Sequence, residues 1–196
     1  ILMLPYGLGQ KIEFEKNFGP KLGDINLEEI KNIDEINFTE KVYKIYKAIS
    51  KTSRDPLMNN RDMIGFVGAP WTILVYMVNK SSPKKGLSSD FFKDDFLINR
   101  LLGIIEKFLK LHIKNQVESG AKVIQIFDSW AGLLEEKIPE YIYIPTLNIV
   151  DYVKKLGVPV ICFPRGIKDY KNFCEIVKPD SVNIDYDVDP KKIVNE

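Results

Sequence analysis

The feature of this sequence that most narrows its fold is a set of short apolar runs separated by helical patterns. Five such runs lie at residues 1–4, 63–67, 123–127, 158–163 and 182–186, and most end on Gly, Pro or Asp. Each is too short for a helix and is closed by a turn residue, so each predicts a strand. Between the later runs lie helical repeats. The clearest covers residues 96–117, where Leu101, Ile104, Ile105, Phe108 and Leu109 fall at helical spacing and Gly120 closes the pattern. Residues 38–49 and 147–156 are shorter versions of it. Near-continuously apolar strands alternating with helices imply a parallel sheet with both faces covered.

A doubly wound sheet and a (β/α)8 barrel both satisfy that pattern. No G-x-G-x-x-G follows any run, which weakens the dinucleotide-binding version. The reading is α/β, a partial (β/α)8 TIM barrel with about five of its parallel strands present. A closed barrel needs eight strands and typically about 250 residues. The first run opens inside a strand pattern without an initiator Met, and Asp189-Pro190 resembles an N-cap and first helical residue close to Glu196. The expectation is therefore a single incomplete barrel domain over residues 1–196. Two segments stand outside the alternation. A hairpin-like excursion covers about residues 9–20, where period-two alternation runs into Asn17-Phe18-Gly19-Pro20. A polar, Pro- and Gly-punctuated stretch over about residues 80–89 predicts a mobile loop.

Composition excludes several classes of function. The net charge is +1 with lysines interspersed among acidic residues, which gives no nucleic-acid footprint. No apolar run approaches the roughly 18 residues of a membrane span, and the apolar start lacks the basic flank of a signal peptide. The two cysteines, Cys162 and Cys174, form no C-x-x-C pair, which fits a reducing cytoplasm.

Barrel active sites form at the C-terminal ends of the strands. That rule selects residues 66–71, residues 128–130, Pro164-Arg165 and residues 185–189. His112, the single histidine, sits beside the apolar stripe of residues 96–117 and is expected to be structural. Asp185, Asp187 and Asp189 invite a metal reading, but alternation along a strand splits neighbours between faces and no His or Cys is near, so no metal site is expected.

The run Gly65-Phe66-Val67-Gly68-Ala69-Pro70-Trp71-Thr72, followed by Tyr76-Met77-Val78, resembles a signature of the uroporphyrinogen decarboxylase family. Gln125-Ile126-Phe127-Asp128-Ser129-Trp130-Ala131-Gly132 resembles a second, and Leu4-Pro5-Tyr6-Gly7-Leu8-Gly9 resembles the segment after an early family strand. The matches fall in the family's order across nearly the whole chain. The resemblance implies a cofactor-free barrel, homodimeric when complete, in haem and tetrapyrrole synthesis. Its substrate would be uroporphyrinogen, whose four acetate carboxylates are removed to give coproporphyrinogen. Protonating a pyrrole carbon creates the cationic sink that takes the electrons left by CO2, so the protein supplies orientation, proton delivery and charge stabilisation.

The resemblance places the family's substrate-contacting tyrosine on Tyr76 and its serine on Ser129, two hydroxyls able to donate to carboxylates. The plainer alternatives are a core-helix aromatic and a small turn residue. The same resemblance puts the family's aspartate and substrate-holding arginines before Ile1 and its late histidine after Glu196, so the catalytic residues lie outside the chain and the isolated fragment is expected to be inactive. Arg165 either offers charge to a polyanionic substrate or is a solvated surface arginine. Two competing readings remain. One is the sister family of zinc- and corrinoid-linked methyltransferases, which needs thiolate and imidazole ligands; here His112 is followed by Ile113-Lys114 and neither cysteine carries a matching motif. The other is a non-catalytic fragment that folds partly or only binds a tetrapyrrole.

Overall fold

The computed structural model describes every residue except 18, 85, 89, 90, 195 and 196. The chain opens with helix α1 (Met3–Gly7), a hairpin of β1 (Ile12–Glu15) and β2 (Gly19–Leu22), and helices α2 (Leu27–Asn32) and α3 (Glu35–Ser53). Strand β3 (Ile64–Gly68) then leads into α4 (Pro70–Asn79) and the long α5 (Asp95–Glu118). After β4 (Val123–Asp128), a π-helical turn (Pro139–Tyr143) runs into α6 (Ile144–Lys155). Strand β5 (Val160–Pro164), α7 (Tyr170–Val177), β6 (Ser181–Val182) and α8 (Pro190–Val194) complete the order.

Strands β3 to β6 form one parallel sheet in the order β3-β4-β5-β6. The order follows the chain with no reversal, which is how a barrel sheet winds and not how a doubly wound sheet changes direction at its switch point. Burial agrees with this. Gly65, Val67, Ile124, Ile126, Val160 and Cys162 point to one face and are buried there, while on the other face Phe66 is 55% exposed and Phe127 and Phe163 are half-buried. The expectation of two helix-covered faces is thus corrected: helices cover the outer face, and the inner face is the aromatic surface a barrel turns toward its axis.

The sheet holds four strands, one fewer than expected. Residues 1–4 are not a strand; Met3–Gly7 is a helical turn. Four apolar residues carry no period of their own. What decides them lies beyond the run: Leu4 and Leu8, one turn apart, are both buried on the core side, and Pro5 falls in the first turn, where no N–H donor is needed. The 182–186 run is also shorter than its pattern suggests, pairing over Ser181–Val182 alone.

The helices begin where the sequence signals them. Asp34, Asp94 and Asp169 accept from the backbone N–H groups of Asn37 (2.7 Å), Leu97 (2.9 Å) and Asn172 (2.9 Å). Asp189 accepts from Lys191 N–H at 3.0 Å ahead of Pro190. Helix α5 buries Leu101, Ile105, Phe108, Leu109, His112 and Ile113 along one face. Its Gln116 receives Phe66 N–H (3.1 Å) and donates to Phe66 C=O (3.3 Å), joining α5 to β3. Gly65 makes that approach possible, because a Cβ there would lie 2.8 Å from Gln116 Oε1.

The hairpin pairs Ile12 with Leu22 and Glu15 with Gly19 in antiparallel register. Leu22 N–H donates to Lys80 C=O at 2.7 Å, and Lys80 pairs with Asp24, so the hairpin is fastened to the segment after α4. The mobile-loop expectation for residues 80–89 falls in part on residues 85 and 89, outside the described residues. Within the rest, Ser88 N–H donates to Asn79 Oδ1 at 3.0 Å.

Candidate active site

The carboxyl ends of β3 and β4 are joined by Ala69 N–H donating to Phe127 C=O at 2.9 Å and by three hydrogen bonds that involve side chains. Helix α4 starts on Pro70, whose fixed φ suits the first helical position, and its first turn points Trp71 and Thr72 at the end of β4. The Thr72 hydroxyl donates to Asp128 Oδ1 at 2.7 Å and accepts from Trp130 N–H at 3.2 Å. The Trp71 indole N–H donates to Trp130 C=O at 2.9 Å. Trp71 itself is fully buried against Phe91, Phe92 and Tyr141, with ring centroids 5.5, 6.3 and 5.9 Å away.

Asp128 lies on the outer side of β4, away from the aromatic face. Burial pushes its carboxyl up to about 7, although the Thr72 hydroxyl and the backbone N–H groups of Trp130 and Thr72 pull the other way. Its Oδ2 has no hydrogen-bond partner among the described residues.

Tyr76 and Ser129 both adjoin Trp130. Tyr76, half-buried one turn along α4 from Thr72, meets the Trp130 ring edge-on with centroids 6.0 Å apart and planes at 66°. Ser129 is half-buried and directly precedes Trp130. The structure therefore brings Tyr76 to the indole of the residue that follows Ser129.

Further around the mouth, the β4 and β5 loops touch. Arg165 N–H donates to Asp128 C=O at 3.0 Å and Gly132 N–H to Arg165 C=O at 2.9 Å. A Cβ on Gly132 would lie 2.6 Å from the Gly166 carbonyl oxygen, so the second signature ends on a glycine that the neighbouring loop requires.

Asp185 braces the β5 loop. Its Oδ2 accepts from Gly166 N–H at 2.6 Å and from the Tyr170 hydroxyl at 2.8 Å, and its own N–H donates to that hydroxyl at 3.1 Å. Burial raises the Tyr170 phenol to about 12, so it stays protonated and remains a donor. The aspartate is thus engaged by protein groups, and among the described residues no three His, Cys, Asp or Glu side chains group as metal ligands. His112 is buried in α5, shares a hydrogen bond of 2.8 Å between its Nδ1 and the Tyr46 hydroxyl, and burial lowers its pKa to about 4.

Sequence reasoning placed the strand ends but missed the aromatic shelf. Phe66 and Phe127 pack edge to face at 6.0 Å, and Phe127 meets Phe163 at 6.5 Å, forming a band across β3, β4 and β5 just below the mouth. The available signal was one aromatic on each of three strands: Phe66 opens one of the selected segments, and Phe127 and Phe163 each immediately precede another.

A sequentially wound parallel sheet with an aromatic inner face, and polar side chains on the loops at its carboxyl edge, defines an α/β-barrel protein with a site at the strand ends. The comparisons agree with this and go further. The chain matches the uroporphyrinogen decarboxylase (URO-D) family over residues 1–196 and belongs to that family. Uroporphyrinogen decarboxylase of Campylobacter jejuni subsp. jejuni is 36% identical over 177 residues, covering 87% of this chain and 52% of that protein. Those of Rickettsia bellii and Rickettsia felis are 35% and 34% identical, covering 94% and 98% of this chain and 56% and 57% of theirs. The chain thus spans little more than half the length of these relatives. Among solved structures, a methyltransferase from Methanosarcina mazei matches with a TM-score of 0.64 at 13% identity, over 94% of this chain and 62% of that one; the likeness is one of fold. Among the described residues no helix is long and apolar enough to cross a membrane.

Proposed function

We propose that the protein carrying this chain decarboxylates the four acetate side chains of uroporphyrinogen to give coproporphyrinogen. The observation that carries this reading is the family match along the whole chain. The geometry fits the chemistry. The band of Phe66, Phe127 and Phe163, packed edge to face, offers an apolar surface for a tetrapyrrole ring. Tyr76, whose ring meets Trp130, and Ser129, the first residue past β4, carry hydroxyls suited to the ring's carboxylates. Their role is to donate to carboxylates and hold the ring so that the ring carbon next to an acetate-bearing one meets the proton donor. Once that neighbouring carbon is protonated, the C–CO2 bond breaks and its electron pair forms an exocyclic double bond to the cationic ring. A proton added to this methylene, with loss of the first proton from the ring carbon, gives the methyl group and restores the pyrrole.

The same membership supports a homodimer in the cytoplasm, a compartment that also suits the unpaired Cys162 and Cys174. The test is anaerobic incubation with uroporphyrinogen III, followed by oxidation and chromatographic separation of the porphyrins. Sequential loss of carboxylates down to coproporphyrin is expected; unchanged substrate would overturn the reading.

A further inference from the structure

We propose that Arg165 is a binding residue for a carboxylate of the tetrapyrrole substrate, held in position by Asp185. The inference rests on the functional reading above and adds a residue to its site.

The strand register supports it. Asp128 is paired with Pro164, and the ladder continues one step, since Arg165 N–H donates to Asp128 C=O at 3.0 Å. That step sets Ser129 beside Arg165. Between β5 and β6, Cys162 is paired with Val182. Past the end of that ladder Asp185 still lies beside Arg165, with Arg165 Nε 4.0 Å from Asp185 Oδ1. Ser129 and Arg165 are the first residues past β4 and β5, two positions beyond Phe127 and Phe163, so both stand at the strand ends next to the aromatic band. Ser129, Arg165 and Asp185 thus bring polar side chains to the strand ends that border the aromatic band.

Among these side chains the guanidinium is available and oriented. The Arg165 side chain is 60% exposed, whereas that of Asp185 is 16% exposed. Asp185 Oδ2 is already occupied by Gly166 N–H and the Tyr170 hydroxyl. It therefore steers Nε through Oδ1 without a full bidentate grip, and among the described residues no hydrogen bond engages the guanidinium. A planar fork of N–H donors at the border of an apolar band is suited to a carboxylate carried on the edge of a flat ring. Uroporphyrinogen carries eight carboxylates and coproporphyrinogen four, so a fixed cation at the rim also discriminates between substrate and product.

The experiment is equilibrium binding of uroporphyrin, the stable octacarboxylate, followed by its visible absorbance, to the parent protein and to Arg165→Gln and Arg165→Lys. Loss of one charged hydrogen-bond donor at a partly exposed site should weaken Arg165→Gln about tenfold. Arg165→Lys, which keeps the charge but not the fork, should fall between the two. The variant's affinity should also depend less steeply on salt. Circular dichroism melting controls for folding, since a substitution at an exposed arginine should leave stability within about 0.5 kcal/mol. Equal affinity of Arg165→Gln and parent would overturn the assignment, as would a Lys variant no better than Gln or a parent that does not bind uroporphyrin. The turnover assay above judges the functional reading separately, so an active parent with an unaltered Arg165→Gln affinity would sink this inference alone.

Discussion

Asp128→Asn should change how stability depends on pH more than it changes stability at any one pH. The folded chain keeps the Asp128 proton to about 7, against an ordinary value of 3.8. Between those values the unfolded chain releases the proton and the folded chain does not, so stability falls as pH rises. The slope is about 1.4 kcal/mol per pH unit, or about 4 kcal/mol in all, and the loss is complete above about pH 7. His112 works in the opposite direction. Burial, aided by the N-terminal charge, lowers it from 6.5 to about 4, so its contribution is present above 6.5 and lost as pH falls toward 4. That contribution is about 3 kcal/mol, and over the shared window the two groups nearly cancel. The asparagine variant removes one of them.

Its amide N–H groups need an acceptor where Oδ2 has no partner, at a cost of about 1–3 kcal/mol that does not vary with pH. The signature is therefore the slope. From about pH 5 to about pH 7.5 the variant should gain about 2.5 kcal/mol on the parent. Urea unfolding followed by circular dichroism at several pH values in that window measures the gap. Two stability curves that run parallel would show that Asp128 titrates normally and that the argument from its burial is wrong.

Tyr76→Phe should lower kcat/KM on uroporphyrinogen about ten- to hundredfold with the melting temperature unchanged, the loss of one hydrogen bond to a charged group; parent-like kinetics would return Tyr76 to the helix core. Ser129→Ala should show a smaller loss of the same kind in the same assay, and full activity would reduce it to a turn residue. Gly132→Ala forces a methyl group against the Gly166 carbonyl, so urea unfolding should show a loss of about 1–3 kcal/mol; an unchanged midpoint would mean that the two loops part freely. Turnover should survive exhaustive chelation and need no added nucleotide, flavin or pyridoxal phosphate, and a requirement for any of these would overturn the cofactor-free chemistry.

The parallel strands were legible where an apolar run ended in a turn-forming residue that is the last of its strand: Gly68 closing β3, Asp128 closing β4, Pro164 closing β5. Residues 1–4 were misread because four apolar residues suit either structure, and the choice was made by Leu8 and by the surface offered to Leu4. The 182–186 run was overextended because Asp185 leaves the ladder to brace Gly166 and Tyr170, 19 and 15 residues away, partners no local pattern displays. In the site, the loop positions followed from a rule about barrels, but Thr72 and Asp128 are 56 residues apart and their contact exists only once α4 returns to the end of β4. The aromatic shelf needs the register across three strands, which alternation within each strand does not provide.

The chain contains two tryptophans, and Trp71 and Trp130 are joined to each other through an indole N–H and a carbonyl at the site. Trp130 also touches Tyr76, and Trp71 is packed among Phe91, Phe92 and Tyr141. The intrinsic emission contributed by this chain therefore reports one locality, the seam between α4 and β4. A loosening of that seam would quench or red-shift the emission while the helices remained intact, so an emission-monitored unfolding curve that precedes the ellipticity curve would mark the site as the first part of the fold to open.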